Sequence, residues 1–264
     1  MNDPSIDAPL RAPPPERTAE ETTVHTRLLR LALGVEESRA YWLHVDPAVT
    51  GEARLERAFE ERWFGGKSYQ RVRTLLGNFA ARYDAFAFGF DALRRWTSMS
   101  PSTRRLVCHW HAQLSDPLYR RFTGELLPQL RRRGAPRPLD RATAIRWVGD
   151  AFPERWAQAT LTQFGSKLLS AVTEARLATG GRDPRALPTP EVPDEALEYL
   201  LYLLRTVQFN GTMTDNPYLA SVDLEGPFLD RRLRSLRGLD FRRMGELVEV
   251  EWRYRSLAEW VEHT

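Results

Sequence analysis

Apolar residues recur every three to four positions through most of this chain from residue 26 onward, and several of these runs follow a residue that can cap a helix. The clearest run follows Ser68 and consists of Val72, Leu75, Leu76, Phe79 and Tyr83. A serine before the first turn can accept a hydrogen bond from it, and this spacing places the apolar side chains on one face. The sequence therefore predicts a mostly α-helical protein.

Further helix starts are indicated where proline occupies a first turn or aspartate precedes an apolar run. Helices are predicted over residues 101–114, 117–133, 153–177, 194–209 and 228–236, with another beginning after Asp140 and a short one ending at Trp260. Residues 210–221 are predicted to be a loop. Residues 247–252 alternate apolar and charged side chains, which is typical of a strand. We therefore expect a few short strands near the C-terminus.

Proline-rich stretches divide the chain. Residues 1–23 hold several prolines in polar surroundings and are predicted to be a disordered leader. Residues 184–193 are predicted to be a linker between a basic helical lobe, residues 24–183, and a C-terminal lobe of helices and short strands, residues 184–264. The leucine-rich helix after the linker needs an apolar partner, so we expect the two lobes to pack together.

Positive charge is concentrated in the middle of the chain. Residues 54–146 carry 19 Lys and Arg against 8 Asp and Glu, whereas the segments on either side are net negative. Such segregation favours a polyanionic partner, and nucleic acid is the commonest one in a cell. A solvated basic face or an acidic protein partner would explain the same distribution.

Guanidinium groups bind phosphate oxygens in pairs and stay charged, so arginines in this segment are the first candidates for phosphate contact. The candidate phosphate-binding residues are Lys67, Arg71, Arg73, Arg104, Arg105, Arg120, Arg121, Arg131, Arg132 and Arg133. Thr160, Gln163 and Lys167 share one face of the helix predicted over 153–177, and we expect this face to lie near a groove of the duplex. An ordinary exposed helix face would look similar.

No catalytic pattern is evident. Cys108, His109 and His111 are adjacent on a helix, where neighbouring positions point about 100° apart, so they do not converge on a metal. Gly65-Gly66-Lys67-Ser68 resembles the end of a phosphate-binding loop, but the required first glycine is replaced by Glu61. An enzymatic alternative depends only on Glu249 and Glu251, which share a strand face. The sequence therefore predicts neither an enzyme nor a bound cofactor or metal.

Three motifs carry a resemblance to a known family. They are Phe59-Glu60-x-Arg62-Trp63-Phe64, Trp156-x-x-x-Thr160 and Lys167-Leu168-Leu169, followed by the proline-rich break. Together, over roughly residues 55–205, they resemble BrxA, a component of bacterial BREX (bacteriophage exclusion) systems. The resemblance implies a helical protein with helix-turn-helix or winged-helix-like elements that binds duplex DNA beside other defence proteins. The leader and the extension from about residue 210 depart from it.

We therefore expect a non-enzymatic, cytoplasmic DNA-binding component of a phage-defence system that contacts double-stranded DNA with little sequence specificity. Other proteins of that system would be its partners, and no membrane association is expected because no apolar run is long enough to cross a bilayer. The alternative is a structural adaptor whose basic face binds an acidic partner subunit.

Overall fold

The computed structural model describes residues 17–132 and 138–264, and helices dominate as the sequence predicts. The helices are α1 (Arg27–Arg30), α2 (Val35–His44), α3 (Gly51–Glu60), α4 (Tyr69–Arg82), α5 (Ala87–Arg95), α6 (Pro101–Ser115), α7 (Pro117–Arg121), α8 (Leu127–Arg132), α9 (Arg141–Ala151), α10 (Gln158–Glu174), α11 (Asp194–Leu204), α12 (Pro217–Ala220), α13 (Gly226–Ser235) and α14 (Leu257–Glu262). A π-helical turn joins α7 to α8. Within the described ranges, no helix is both long and apolar enough to cross a membrane.

Short strands form two small sheets. The strands are β1 (Thr18–Ala19), β2 (Val207–Gln208), β3 (Leu239–Met244) and β4 (Leu247–Trp252). β1 pairs with β2 in parallel, and β3 pairs with β4 as an antiparallel hairpin. The strand predicted over 247–252 is confirmed as β4. Its carboxylates lie on the exposed face, where Glu249 is opposite Arg242 and Glu251 is opposite Asp240.

Helix α6 lies at the centre of the protein, and nearly all its side chains are buried. Several of its polar side chains form hydrogen bonds with the elements around it. The indole of Trp110 donates to the Tyr218 carbonyl at 3.2 Å, and the Gln113 amide donates to the Thr123 hydroxyl at 2.9 Å. Because a buried polar group costs free energy unless it is paired, these bonds fix which elements can pack on α6.

The two histidines of α6 point to different neighbours. Nδ1 of His111 lies 3.2 Å from the Arg82 carbonyl and must donate to it, so Nε2 accepts from the Tyr199 hydroxyl at 2.7 Å. His109 lies 2.9 Å from the Tyr119 hydroxyl and 2.8 Å from the Ser221 hydroxyl. Burial lowers the pKa of each ring to about 3. Both rings are therefore neutral structural links at neutral pH.

The N-terminal segment is tied into the fold. Thr18 of β1 pairs with Val207 of β2, and the buried Glu20 accepts a hydrogen bond from the Asn210 main chain at 3.1 Å. The predicted leader is therefore too long at its C-terminal end, since residues 18–20 have fixed partners. Its first sixteen residues lie outside the described part of the chain.

Two predicted helix boundaries are wrong. Helix α10 begins at Gln158 and not at Pro153, because the chain turns between α9 and α10 with Glu154 at a φ of +57°. Helix α11 ends at Leu204 and not at Phe209, because residues 207–208 leave the helix to pair with β1.

The segment predicted as a loop over 210–221 contains the short helix α12. The Asn216 side chain caps it, accepting from the Leu219 main chain at 3.0 Å. α12 packs against the π-helical turn, where a Cβ on Gly124 would come within 2.6 Å of the Pro217 side chain. Glycine at 124 therefore allows the π-helical turn and α12 to pack closely together.

A buried carboxylate fixes the C-terminal hairpin on α11. Glu198 accepts from the main-chain N–H groups of Arg237 and Gly238, at 2.8 and 2.7 Å, and from the Trp260 indole at 2.7 Å. A Cβ on Gly238 would lie 2.8 Å from this carboxylate, so glycine is required there. One side chain thus joins α11, the start of β3 and α14.

The buried histidines predict a pH dependence of stability. Above about pH 6.5 both are neutral whether folded or unfolded, but below it only the unfolded chain takes up their protons. Each histidine should therefore lower the free energy of unfolding by up to about 1.4 kcal/mol per pH unit as the pH falls from about 6.5 toward 3. Urea unfolding at pH 7.5 and 5.5 should show a smaller pH effect in His109→Gln and in His111→Gln than in the wild type. An unchanged pH effect in both variants would contradict this account.

Candidate nucleic-acid interface

Three of the candidate arginines belong to the interior. Arg120 donates to the carbonyls of Gln113 and Glu21, at 2.7 and 2.8 Å, and pairs with the buried Glu20 at 3.5 Å. Arg131 donates to the Ser221 carbonyl at 2.9 Å, and burial lowers its pKa. Arg104, also buried, pairs with Glu36 at 3.3 Å. Arg120 and Arg131 donate to main-chain carbonyls, and Arg104 is buried beside Glu36, so we remove these positions from the predicted interface.

Three further candidates are at the surface but already paired. Arg73 pairs with Glu52, Arg132 with Glu225, and Arg121 with Glu125 one turn away. Arg121 also lies over the ring of Phe152, 5.1 Å from its centroid. These ion pairs are exposed and weak, so they neither favour nor prevent phosphate contact. Arg133 lies outside the described residues.

The structure brings Arg71, Arg105 and Lys167 together, although they are far apart in the sequence. They line one open groove of about 810 Å³, which we call the α10 groove. Its other lining residues are Leu31, Ala32, Gly34, Val35, Glu36, Glu37, Ser170, Thr173, Glu174, Arg176, Gly180, Gly181 and Arg185. The groove thus lies between the C-terminal half of α10, the start of α2, and α4 and α6.

Most cations of the α10 groove are available. Arg105, Lys167 and Arg176 have no ion pair or side-chain hydrogen bond with any other described residue. Arg71 donates one bond to the Arg30 carbonyl at 2.9 Å. Arg185 is different, because it bonds the Leu169 carbonyl and the Thr173 hydroxyl. Four side chains therefore present positive charge to the groove with most of their donors unused.

Three carboxylates moderate this charge. Glu36 is paired with Arg104, and Glu174 accepts from the Gly34 main chain at 2.8 Å. Burial raises the pKa of Glu174, although that bond opposes the shift. Glu37 lies in the first turn of α2. Cations still outnumber carboxylates in the lining, so the groove favours an anion.

The polar face predicted on α10 divides between two environments. Lys167, Ser170 and Glu174, in the second half of the helix, line the groove as a set at three-to-four spacing. Thr160 and Gln163, near its start, lie outside the groove and are half-exposed and exposed respectively. Lys67 is also exposed, in the turn before α4, and Ser68 caps that helix as predicted.

Sequence reasoning missed a second basic region. Helices α12 and α13 are followed directly by the β3–β4 hairpin, and Arg231, Arg234 and Arg237 are exposed along α13 and just after it. The arginines lie in a segment whose total charge is negative, so a charge count over the whole segment did not reveal them.

The carboxylates on the hairpin do not assemble into a metal site. Glu251 has Asp240 opposite and Glu249 has Arg242 opposite, all on an exposed face. Across residues 17–132 and 138–264, no three His, Cys, Asp or Glu side chains come together in a way that could hold a metal ion. The enzymatic alternative gains no support from this geometry.

Comparison with known proteins informs the fold alone. No family model matches this chain, and no curated protein matches it. Among solved structures it is similar to an uncharacterized protein from Magnetospirillum magneticum, with a TM-score of 0.54 and 15% sequence identity. The match covers 70% of this chain and 98% of that protein. At this identity the likeness shows a shared fold.

The position of Arg120 predicts a loss of stability without a loss of binding. Arg120→Met leaves Glu20 buried without its charge partner, and breaking such a pair costs about 3 to 5 kcal/mol. We expect a lower urea midpoint, together with unchanged affinity for duplex DNA under conditions where the variant is folded. The matched control is Arg73→Met, which removes an exposed pair and should leave the midpoint unchanged. If Arg120→Met weakened duplex binding while remaining fully folded, our removal of Arg120 from the interface would be wrong.

Proposed function

We propose that this chain is a non-enzymatic DNA-binding component of a bacterial phage-defence system of the BREX type, acting in the cytoplasm beside other defence proteins. The observation that carries the DNA-binding part is the α10 groove, in which Arg71, Arg105, Lys167 and Arg176 converge. The defence role comes from the resemblance to BrxA in the motifs around Phe59, Trp156 and Lys167.

The groove is suited to the sugar-phosphate backbone. Its cations are drawn from helices α4, α6 and α10 and from the residues after α10, so their relative positions are fixed by the core. Contacts of this kind neutralise phosphates and release counterions, which makes affinity depend steeply on salt. They carry no direct information about base sequence, so binding should depend only weakly on sequence.

The exposed arginines of α13 support the same function at a second position. Arg231 and Arg234 lie on the helix that follows the α12–α13 turn, and Arg242 lies on the exposed face of the hairpin. A helix and hairpin presenting guanidinium groups could contact a major groove and the phosphates beside it. The contribution of this region is separable from that of the α10 groove, because they share no residues.

The adaptor alternative has one specific observation in its favour. Glu36 and Glu37 line the α10 groove next to its cations, and such a mixed lining also suits a protein segment with charges of both signs. Competition separates the two functions. Excess unrelated duplex should displace a labelled duplex from a DNA-binding protein, but it should leave a partner subunit bound to an adaptor.

The proposal predicts opposite effects of two kinds of substitution in the groove. Arg105→Gln/Lys167→Gln removes two phosphate contacts and should lower the slope of log affinity against log salt by about 2. Glu174→Gln should strengthen binding, because it removes a negative charge while the new amide oxygen still accepts from Gly34. Fluorescence anisotropy of labelled duplex between 50 and 300 mM salt measures both.

The matched control is Arg57→Gln, an exposed cation outside the groove whose loss should leave the slope and the affinity almost unchanged. If the double variant binds with the wild-type slope, the duplex does not contact the α10 groove. If the wild type shows no binding at the lowest salt, the DNA-binding proposal itself is wrong.

A further inference from the structure

A second cavity of about 800 Å³ combines arginines with aromatic rings. It lies between α5, the end of α11, the segment 207–213, the end of β4 and the start of α14. We call it the arginine–aromatic pocket, and its characteristic residues are Arg17, Phe88, Arg205, Phe209, Trp252 and Arg255. None of its lining residues belongs to the α10 groove.

Arg205 is fixed in the wall of this pocket. Its guanidinium lies 4.4 Å from the ring centroid of Trp252 and 5.3 Å from that of Tyr202, and it donates to the carbonyls of Tyr254 and Arg255. Burial lowers the pKa of Arg205, and the neighbouring positive charge of Arg17 adds to this effect. Arg205 is therefore a fixed positive charge in the wall, and Arg17 lines the same space.

Carboxylates do not offset this charge. Asp91 is the one carboxylate among the lining residues, which all belong to the described part of the chain, and it pairs with Arg95. Glu259 lies nearby and accepts a hydrogen bond from the main-chain N–H of Arg255. Within the described ranges it forms no ion pair with a cationic side chain. Three arginines line this pocket, and its one carboxylate is already paired with another arginine, which indicates a site for an anion.

The rest of the lining is suited to a flat apolar group. Phe88 is 54% exposed although it is a large aromatic residue, and Phe209, Met213 and Trp252 are half-buried around the same space. The volume is in the range of small-molecule sites, which are mostly apolar with a few placed polar groups. Exposed aromatic faces next to arginines are also the usual means of holding an unpaired base and its phosphate.

We propose that the arginine–aromatic pocket binds a nucleotide, with the base against the aromatic side chains and the phosphate on Arg17, Arg205 and Arg255. This chemistry is shared by a free nucleotide and by the terminal nucleotide of a nucleic-acid strand. The inference does not depend on the α10 groove or on duplex binding, since the two sites have no residue in common.

Isothermal titration calorimetry on the full chain tests the proposal. The probes are AMP, ATP and a short single-stranded oligodeoxynucleotide with a 5′-phosphate, with adenosine and sodium phosphate as the separate halves of the ligand. We expect saturable binding of AMP or ATP if the ligand is free, or of the oligonucleotide alone if it is a strand end. Each half should bind at least tenfold more weakly than the joined molecule.

Substitutions locate the site. Phe88→Ala should weaken nucleotide binding about fivefold or more, as expected for the loss of one stacking contact. Arg205→Gln should weaken it at least tenfold. Arg17→Gln and Arg255→Gln alter exposed side chains and keep the proposal testable if Arg205→Gln fails to fold.

The matched control is Arg57→Gln, an exposed cation that lines neither site, which should leave nucleotide binding unchanged. Nucleotide binding that survives Phe88→Ala, Arg17→Gln and Arg255→Gln would overturn the proposal. So would the absence of saturable binding by all three nucleotide probes. Duplex binding by the same variants is measured in parallel. The proposals for nucleotide binding in the pocket and for duplex binding in the α10 groove can then fail independently.

Discussion

The hydrogen bonds made by the buried polar side chains of α6 determine the arrangement of the other helices. His111 joins α6 to the end of α4 and to Tyr199 of α11, while His109 joins it to Tyr119 of α7 and to Ser221 after α12. Moving either partner away would leave a buried polar group unpaired, which costs about 1 to 3 kcal/mol of folding free energy. Each bond therefore fixes the position of its partner. Apolar packing alone would allow helices to slide; these bonds hold the N-terminal and C-terminal parts in one relative position.

That fixed arrangement sorts the arginines into two classes. Arg120 and Arg131 donate to main-chain carbonyls and act as links between segments distant in sequence. Arg105 and Arg176 lie at the edges of the same framework with their donors unused among the described residues, and with Lys167 they converge on the α10 groove. Net charge cannot distinguish the classes, since a guanidinium group inside the fold and one facing solvent count equally. The proposed function depends on the second class.

The sequence predicted local features well where the signal was local. Ser68 and Asp140 cap the helices expected of them, and the alternation over 247–252 is a strand. It could not predict that α11 ends at Leu204, because that end depends on pairing with β1 almost 190 residues earlier. Arg71, Arg105 and Lys167 were among the predicted candidates, but their convergence was not predicted, since it depends on the packing of α10 against α1 and α6. Arg176 was missed because no spacing rule selects a residue that follows a helix.

Hydrogen exchange with mass spectrometry, on the full chain with and without a duplex, tests the central claim most directly, because it reports where the duplex lies. If duplex DNA occupies the α10 groove, the amides of residues 31–37 and 167–181 should exchange more slowly in the complex than in the free protein. Protection of residues 226–247 would be compatible with contact at α13. If the exchange rates of residues 31–37 and 167–181 are the same with and without a saturating concentration of duplex, the account is contradicted.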